Sequence, residues 1–476
     1  MQGRKIVRNN DINRNMFRIV RVFIVLFIIL IGNLSYIQIV KSEWYDSNPL
    51  NPRIANKENS TLRGDILDCN GKKIAYSENT GKIVKRIYPY GMVFAQAVGY
   101  TGTSIGNSGI EQGENANLSG VNMLLHQLGP LEQLFAADRG NNVKLTLDAV
   151  VQKAAWDAMG NKRGAVVVLD TNTGAVLAMV SKPSFDPNSA AKNWESLRVD
   201  KLSPLLNRVT QGMYPPGSSI KPMMADAALQ QNVITPDEKI ECGPYYDLGN
   251  NQKIYEADNA VYGNIDLEEG IIHSSNVMFA GLAVKMGEAG LKKAFDRFGF
   301  NDGLQTDFAV ESAHLPDFSK LNKGEIAQVG IGQANLLVSP LQMAMLAESF
   351  GNQGKMMKPY MVEEVTSPNG GVLQKASPSV FKEVTTPDRA DLIESYMKNE
   401  VLRGTGRNAA VKGTVVAGKT GTAENSLGAD HAWFIGTAQV GNKKISFAVI
   451  LENSGFGGSE AAPVIRDIIT TMLKED

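Results

Sequence analysis

The sequence predicts an α+β protein whose main sheet is antiparallel and flanked by helices, preceded by a small β-rich pedestal and a single N-terminal transmembrane helix. Three observations predict this. An apolar run opens the chain; strand-like runs cluster near residues 143–180 and return after 414; and the stretch between them, about 220–350, is helical in pattern. Strands interrupted by helices and then resumed would share one antiparallel sheet. The 476 residues suggest about three domains, and 43% hydrophobic with 20% charged residues allows a sizeable core. The net charge of −1 argues against a nucleic-acid partner.

The first element is the membrane helix. Arg4, Lys5, Arg8, Arg14, Arg18 and Arg21 precede the dense run Val22-Phe23-Ile24-Val25-Leu26-Phe27-Ile28-Ile29-Leu30-Ile31, which continues less purely to Val40. About 20 apolar residues cross a bilayer as a helix. The basic flank keeps residues 1–21 cytoplasmic as a tail, makes 22–40 the span, and sends the rest outside. A cleaved signal peptide would have a shorter apolar core and an A-x-A-like site, and Asn33-Leu34-Ser35-Tyr36-Ile37-Gln38 offers none.

Residues 41–141 are polar and rich in Gly and Asn, with short apolar runs such as Ile83-Val84, and read as the pedestal. Residues 142–476 form the main domain. Val143–Leu147 is a strand, and Asp148 caps a helix from Ala149 to about Met159. Ala165–Asp170 and Ala175–Val180, joined by Asn172-Thr173-Gly174, read as a hairpin. Ser339 before Pro340 opens a helix to Ser349, and Thr386-Pro387-Asp388 opens another through Met397. Strands return at Thr414–Lys419, Ala432–Ala438 and Ile445–Leu451, before a closing helix from about Ala461 to Leu473. Cys69 and Cys242, the two cysteines, read as free thiols, and with four scattered His they give no metal site.

Chemistry enters at Pro215-Pro216-Gly217-Ser218-Ser219-Ile220-Lys221. The prolines and glycine make a turn with a helical run after it, so Ser218 sits at a helix start with Lys221 on the same face. A serine hydroxyl needs a base to attack at neutral pH, and a lysine serves once burial or a nearby cation lowers its pKa. Free N–H groups at the helix start also suit a developing oxyanion. The spacing alone is weak, since Ser189/Lys192, Ser379/Lys382 and Ser395/Lys398 share it and read as solvated surface pairs. The Pro-Pro-Gly approach singles out Ser218.

Ser274-Ser275-Asn276 is a second element, equally readable as a helix cap. Ser77/Asn79 and Ser367/Asn369 repeat its spacing. The third, Lys419-Thr420-Gly421-Thr422, occurs once, at the end of an expected strand, where Gly421 would let a substrate backbone lie close. The order Ser-x-x-Lys, Ser-x-Asn, Lys-Thr-Gly is far more specific than any part.

With these motifs, and with Asn207-Arg208, Tyr214-Pro215, Gly330-Ile331-Gly332-Gln333, Ser339-Pro340-Leu341-Gln342, Ala417-Gly418 and His431-Ala432-Trp433-Phe434, the chain resembles a class B penicillin-binding protein, a peptidoglycan D,D-transpeptidase of β-lactamase/transpeptidase-like fold. Arg63-Gly64-Asp65-Ile66-Leu67-Asp68, Asn70-Gly71 and Gly109-Ile110-Glu111 resemble that family's pedestal. The resemblance implies that Ser218 attacks the penultimate D-Ala carbonyl of a stem peptide and Lys221 takes its proton. Ser274 and Asn276 would relay protons and hold the substrate amide. Lys419, with Thr420, Gly421 and Thr422, would meet the substrate carboxylate, and the backbone N–H groups of Ser218 and Thr422 would form the oxyanion hole. It further implies covalent β-lactam binding, no cofactor, and a SEDS-type (shape, elongation, division, sporulation) membrane glycosyltransferase as partner. Cys69 stands where a basic residue is common, and Ala334 and Ser339 replace a more usual Gly and Thr.

Three alternatives are weighed. A β-lactam sensor or serine β-lactamase of the same fold would need a group that activates a deacylating water, and no candidate stands out. A non-catalytic scaffold would not require the intact Ser/Lys/Lys set. A Ser-His-Asp hydrolase lacks a G-x-S-x-G elbow, and His431 reads as a strand-end packing residue.

Overall fold

The computed structural model describes residues 9–39, 41, 62–81, 84–120, 139–425 and 428–475. It divides into two compact units, Met1–Ser60 and Thr61–Asp476. Of the apolar run Ile83-Val84, Val84 opens a strand to Ile87, while Ile83 and residues 42–61 lie outside the described residues.

In the first unit one helix runs from Asn9 to Ile39, and its segment Met16–Ile37, of mean hydropathy 2.3, is long and apolar enough to cross a membrane. It starts well before Val22. Arginine is a good helix former, and its long stem can cover apolar surface while the head stays wet, so Arg14, Arg18 and Arg21 do not end the helix.

The second unit is built on a five-stranded sheet in the order Val416–Ala423, His431–Val440, Lys443–Leu451, Gly164–Asp170, Val176–Lys182, every neighbouring pair antiparallel. The hairpin near 164–182 and the C-terminal strands therefore share one sheet, as the sequence predicts, whereas the strand expected at Val143–Leu147 joins a different one. Alternate side chains leave opposite faces of each strand. Phe434, Phe447 and Val449 join Val151 and Ala155 of helix Ala149–Ala158 and Ile465, Ile468 and Ile469 of helix Ala462–Glu475. Trp433, Ile435, Ala448 and Ile450 join the other core, with Met223, Phe279 and Leu346 from helices Lys221–Gln230, Asn276–Arg297 and Pro340–Gly351. Burying each of the Val, Leu, Ile, Phe and Met side chains among them fully contributes about 1.5–3 kcal/mol. The helix Pro340–Gly351 is buried nearly all round, and a capping box between Ser339 and Gln342 closes its start. Ser339 thus does what a threonine would do there.

Three expectations change. Val416–Ala423 is one continuous strand, so Lys419–Thr422 lies within it rather than at its end. The pairing with His431–Val440 runs unbroken from Val416↔Ala438 to Ala423↔His431, and this tertiary ladder overrides the weak strand propensity of Lys-Thr-Gly. The helix opened by Thr386 runs to Arg403, because Ala390, Ile393, Met397 and Val401 continue one buried stripe. The helical middle also holds a ribbon of Tyr245–Gly249 with Gln252–Tyr255, turned at Asn250 and Asn251, both left-handed (φ 49° and 65°). Asn tolerates that conformation, so Gly249-Asn250-Asn251 was a readable turn.

A second sheet runs Val372–Lys375, Val362–Thr366, Asn142–Leu145, Ile66–Leu67, Lys73–Asn79, Val84–Ile87, with Ile66–Leu67 parallel to Asn142–Leu145. The segment before residue 142 also holds short helices at Ala95–Val98, Gly109–Gly113 and Asn115–Ser119, too short to show a helical period in sequence. Its two quoted motifs lock together. Glu111 is fully buried and paired with Arg63 at 2.8 Å and Arg86 at 2.7 Å. Burial alone would raise the Glu111 carboxyl, but Arg86 and Arg63 outweigh it and hold it below its usual range. Cys69 and Cys242 are free. Burial, then Asp148 and Asp68, push the Cys69 thiol up to about 12, so it stays protonated at neutral pH.

Candidate active site

The nucleophile turn is wedged against the Lys-Thr-Gly strand. Gly217–Ile220 forms a 3₁₀ turn that leads into helix Lys221–Gln230. Gly217 is left-handed (φ 53°), and a Cβ there would lie 2.5 Å from the Thr422 carbonyl oxygen. Only glycine meets both conditions. The turn is pinned by Trp433 Nε1 donating to Pro215 O at 3.0 Å, Ser219 Oγ to Pro216 O at 2.6 Å, and Gly217 N–H to Gly332 O at 2.9 Å. A Cβ on Gly421 would meet Trp433 Cβ at 2.9 Å, Pro216 O at 3.0 Å and Ser219 Cβ at 3.1 Å, so its missing side chain also makes room for the nucleophile's own turn.

Ser218 is half-buried, and Lys221, one turn on, is completely buried. Lys221 Nζ donates to Ser274 O at 2.6 Å, to Asn276 Oδ1 at 2.8 Å and to Ser274 Oγ at 3.3 Å. The first two motifs therefore meet at one ammonium. Burial, and next the nearby Lys419, push Lys221 well below the ordinary lysine range, while Glu256 opposes them.

The Ser-x-Asn turn is both a cap and a site. Ser275 caps helix Asn276–Arg297 by accepting from Met278 N–H, while Ser274 and Asn276 on either side face Lys221. Ser274 is left-handed at φ 57°, a conformation that costs a non-glycine residue about 1–2 kcal/mol. Glu256, which the sequence did not reveal, holds this turn. Its buried carboxylate accepts the Ser275 hydroxyl, Asn276 N–H at 2.6 Å and Val277 N–H at 3.1 Å, at the positive end of the helix. We expect Glu256→Gln to lower the acylation rate, since the amide loses an acceptor worth about 1–3 kcal/mol. It should also move the acid limb of the acylation pH profile to lower pH, because the charge that raises Lys221 is gone. A stopped-flow pH series checks this, and a limb that stays put would remove Glu256 from the site's electrostatics.

Lys419 is completely buried within its strand. Its Nζ donates to Thr420 O at 3.1 Å and lies 3.6 Å from Oε1 of Glu400, also completely buried. Burial lowers Lys419, and Glu400 works against that lowering. Glu400 too escaped the sequence reading, although a signal existed: it is a charge on the buried stripe of helix Pro387–Arg403. Thr420 is buried and Thr422 half-buried, opposite Phe434 and Ala432. Ala334 is left-handed at φ 65°, which explains why a glycine there would be cheaper. His431 opens its strand, with its ring against Tyr214 and its Nδ1 accepting from Asn453 N–H, a packing residue as expected. Among the described residues no group of His, Cys, Asp and Glu could hold a metal.

A half-buried serine at a helix start, a buried lysine of lowered pKa one turn on, and a second buried lysine on the facing strand define a serine–lysine acyl-transfer type of centre. Residues 164–470 match the penicillin binding protein transpeptidase domain and residues 63–141 the penicillin binding protein A dimerisation domain. The chain belongs to the penicillin-binding protein transpeptidase family. It is 31% identical to the peptidoglycan D,D-transpeptidase PbpA of Mycolicibacterium smegmatis, over 97% of this chain and 99% of that one. It is 32% identical to the peptidoglycan D,D-transpeptidase MrdA of Haemophilus influenzae, over 82% of this chain and 70% of that one. Among solved structures, the crystal structure of PBPA from Mycobacterium tuberculosis superposes with a TM-score of 0.81 at 29% identity, covering 87% of this chain and 100% of that one. The imipenem acyl-enzyme complex of the same protein has a TM-score of 0.80 at 29% identity and the same coverage.

Proposed function

We propose that this protein is a peptidoglycan D,D-transpeptidase of cell-wall synthesis that binds penicillin covalently through Ser218. The reading is carried by one observation: buried Lys221, one turn on from Ser218, meets Ser274 and Asn276, while the Ser218 turn packs against the Lys419 strand. Ser218 Oγ attacks the carbonyl carbon of the penultimate D-Ala, and Lys221 takes the hydroxyl proton. The oxyanion faces the backbone N–H groups of Ser218 and Thr422. The C–N bond to the terminal D-Ala breaks, and its nitrogen receives the proton through Lys221 and Ser274. Asn276 holds the substrate amide. Lys419 supplies the positive charge for the substrate carboxylate, with Thr420 and Thr422 donating to it. The amine of a second stem peptide then attacks the Ser218 ester, forms the cross-linking amide and frees the serine.

The helix Asn9–Ile39 anchors the chain in the cytoplasmic membrane with its basic N-terminus inside and the catalytic unit outside, where stem peptides lie. A SEDS-type membrane glycosyltransferase is the fitting partner, since a transpeptidase cross-links stem peptides on glycan strands that a polymerase makes. The test is to incubate the full chain, in detergent, with lipid-linked disaccharide pentapeptide, a glycan polymerase and penicillin G in separate arms. The expected result is a cross-linked dimer that has lost one D-Ala, and a penicillin adduct that persists for many minutes. Penicillin turnover within seconds, without cross-linked product, would instead assign a serine β-lactamase.

A further inference from the structure

Two lysines, Lys221 and Lys419, are completely buried at one site, and two ammonium groups in one dry pocket repel strongly. The pocket must settle which of them keeps its proton. Glu400 lies 3.6 Å from Lys419 Nζ, and both side chains are fully enclosed. The carboxylate is also bound to the strand itself: its Oε1 accepts Thr420 N–H at 3.1 Å, Thr420 Oγ1 at 3.0 Å and Thr405 Oγ1 at 2.6 Å. Its Oε2 is buried and takes no hydrogen bond, and Gly406 closes over it, where a Cβ would stand 2.1 Å away. A carboxylate held this tightly, with an oxygen left over, costs stability unless a charge beside it needs compensating.

We propose that Glu400 is a positioning residue that fixes the proton on Lys419 and so leaves Lys221 neutral, ready to act as the base; this rests on the acyl-transfer reading above. The other charges on the packed elements are engaged elsewhere. Glu460, on helix Gly457–Glu460, pairs with Lys162; Glu268 and Glu269, on helix Leu267–Ile272, pair with Arg403; and Arg407 is exposed. Glu256 is the carboxylate on the Lys221 side, but it is bound to the Ser275 hydroxyl and two backbone N–H groups rather than to Nζ. Burial lowers both lysines; Glu400 counters this for Lys419, and charged Lys419 then lowers Lys221 further.

The experiment is the second-order rate of acylation of the full chain by penicillin G from about pH 5 to pH 10, read as a bell whose limbs report the base and the charged partner. Glu400→Gln should stay within about threefold of wild type on the acid side and fall about tenfold or more on the alkaline side, an inward shift of the alkaline limb by about one pH unit. Glu400→Asp, which keeps the charge, should recover most of that limb. Lys419→Arg serves as a second arm that does not depend on Glu400→Gln folding. A guanidinium keeps its charge unaided, so the alkaline limb should vanish. An unchanged Glu400→Gln profile, an equal loss at every pH, or a limb that persists in Lys419→Arg would each overturn the proposal. If wild type itself is not acylated, the acyl-transfer reading fails instead.

Discussion

Ser218→Ala should show no covalent adduct with penicillin G by intact-protein mass spectrometry, and its cross-linking rate should fall by about 10⁶-fold, the order seen when a serine nucleophile is removed. The size of the effect follows from the geometry. Lys221, one turn on from Ser218, is held by Ser274 and Asn276. Ser219, the neighbouring hydroxyl, cannot substitute, because it is buried and donates to Pro216 O at 2.6 Å. The fold should survive, because Ser218 lies half-buried in a turn fixed by Trp433, Ser219 and Gly217. A stable Ser218→Ala protein that still gains the mass of penicillin would place the nucleophile elsewhere and sink the mechanism.

Lys221→Ala should slow acylation by about 10²–10⁴-fold, the usual contribution of a positioned general base. The sign of its pH dependence is fixed. Lys221 accepts a proton only when neutral, and its pKa lies well below the ordinary lysine value. The acid limb of the wild-type profile should therefore rise with pH through that lowered pKa, ahead of the alkaline fall set by Lys419, and in Lys221→Ala this acid limb should disappear. Lys221→Arg is the sharper control. Arginine could keep the donors that hold Ser274 O and Asn276 Oδ1, but it does not give up its proton in a protein. If Lys221→Arg acylates as wild type does, Lys221 is a structural clamp and not a base.

Both predictions start from residues legible in the sequence, and the reasons are physical. Ser218, Lys221, Ser274, Asn276 and Lys419 stand out because turn chemistry, helix spacing and a glycine in a strand leave local marks. The five-stranded sheet was legible for a similar reason, its strands being long and apolar. Glu256 left no such mark, and Glu400 only that of a charge on an apolar stripe. Each acts through a tertiary contact, 20 residues from Asn276 in one case and 20 from Thr420 in the other. At Gly421 the sequence marks a close approach without saying that the turn at Pro216 and Ser219 is one thing that approaches. The ribbon at Tyr245–Tyr255 was missed although Asn250-Asn251 marked its turn, because the helical pattern around it dominated.

The second sheet bears on how the molecule carries tension. Strands Ile66–Leu67 and Lys73–Asn79 come from the segment nearest the anchor, while Asn142–Leu145 and Val362–Thr366 come from the catalytic side. A pull on the start of the folded unit at Leu62, which bridges Arg139, acts next on Arg63 and its pair with buried Glu111. Beyond that point the load crosses the parallel Ile66–Leu67 pair into Asn142–Leu145, and from there reaches the strand Val362–Thr366. Within the folded unit the chain therefore has no slack joint at residue 142: that residue opens a strand laddered on both sides.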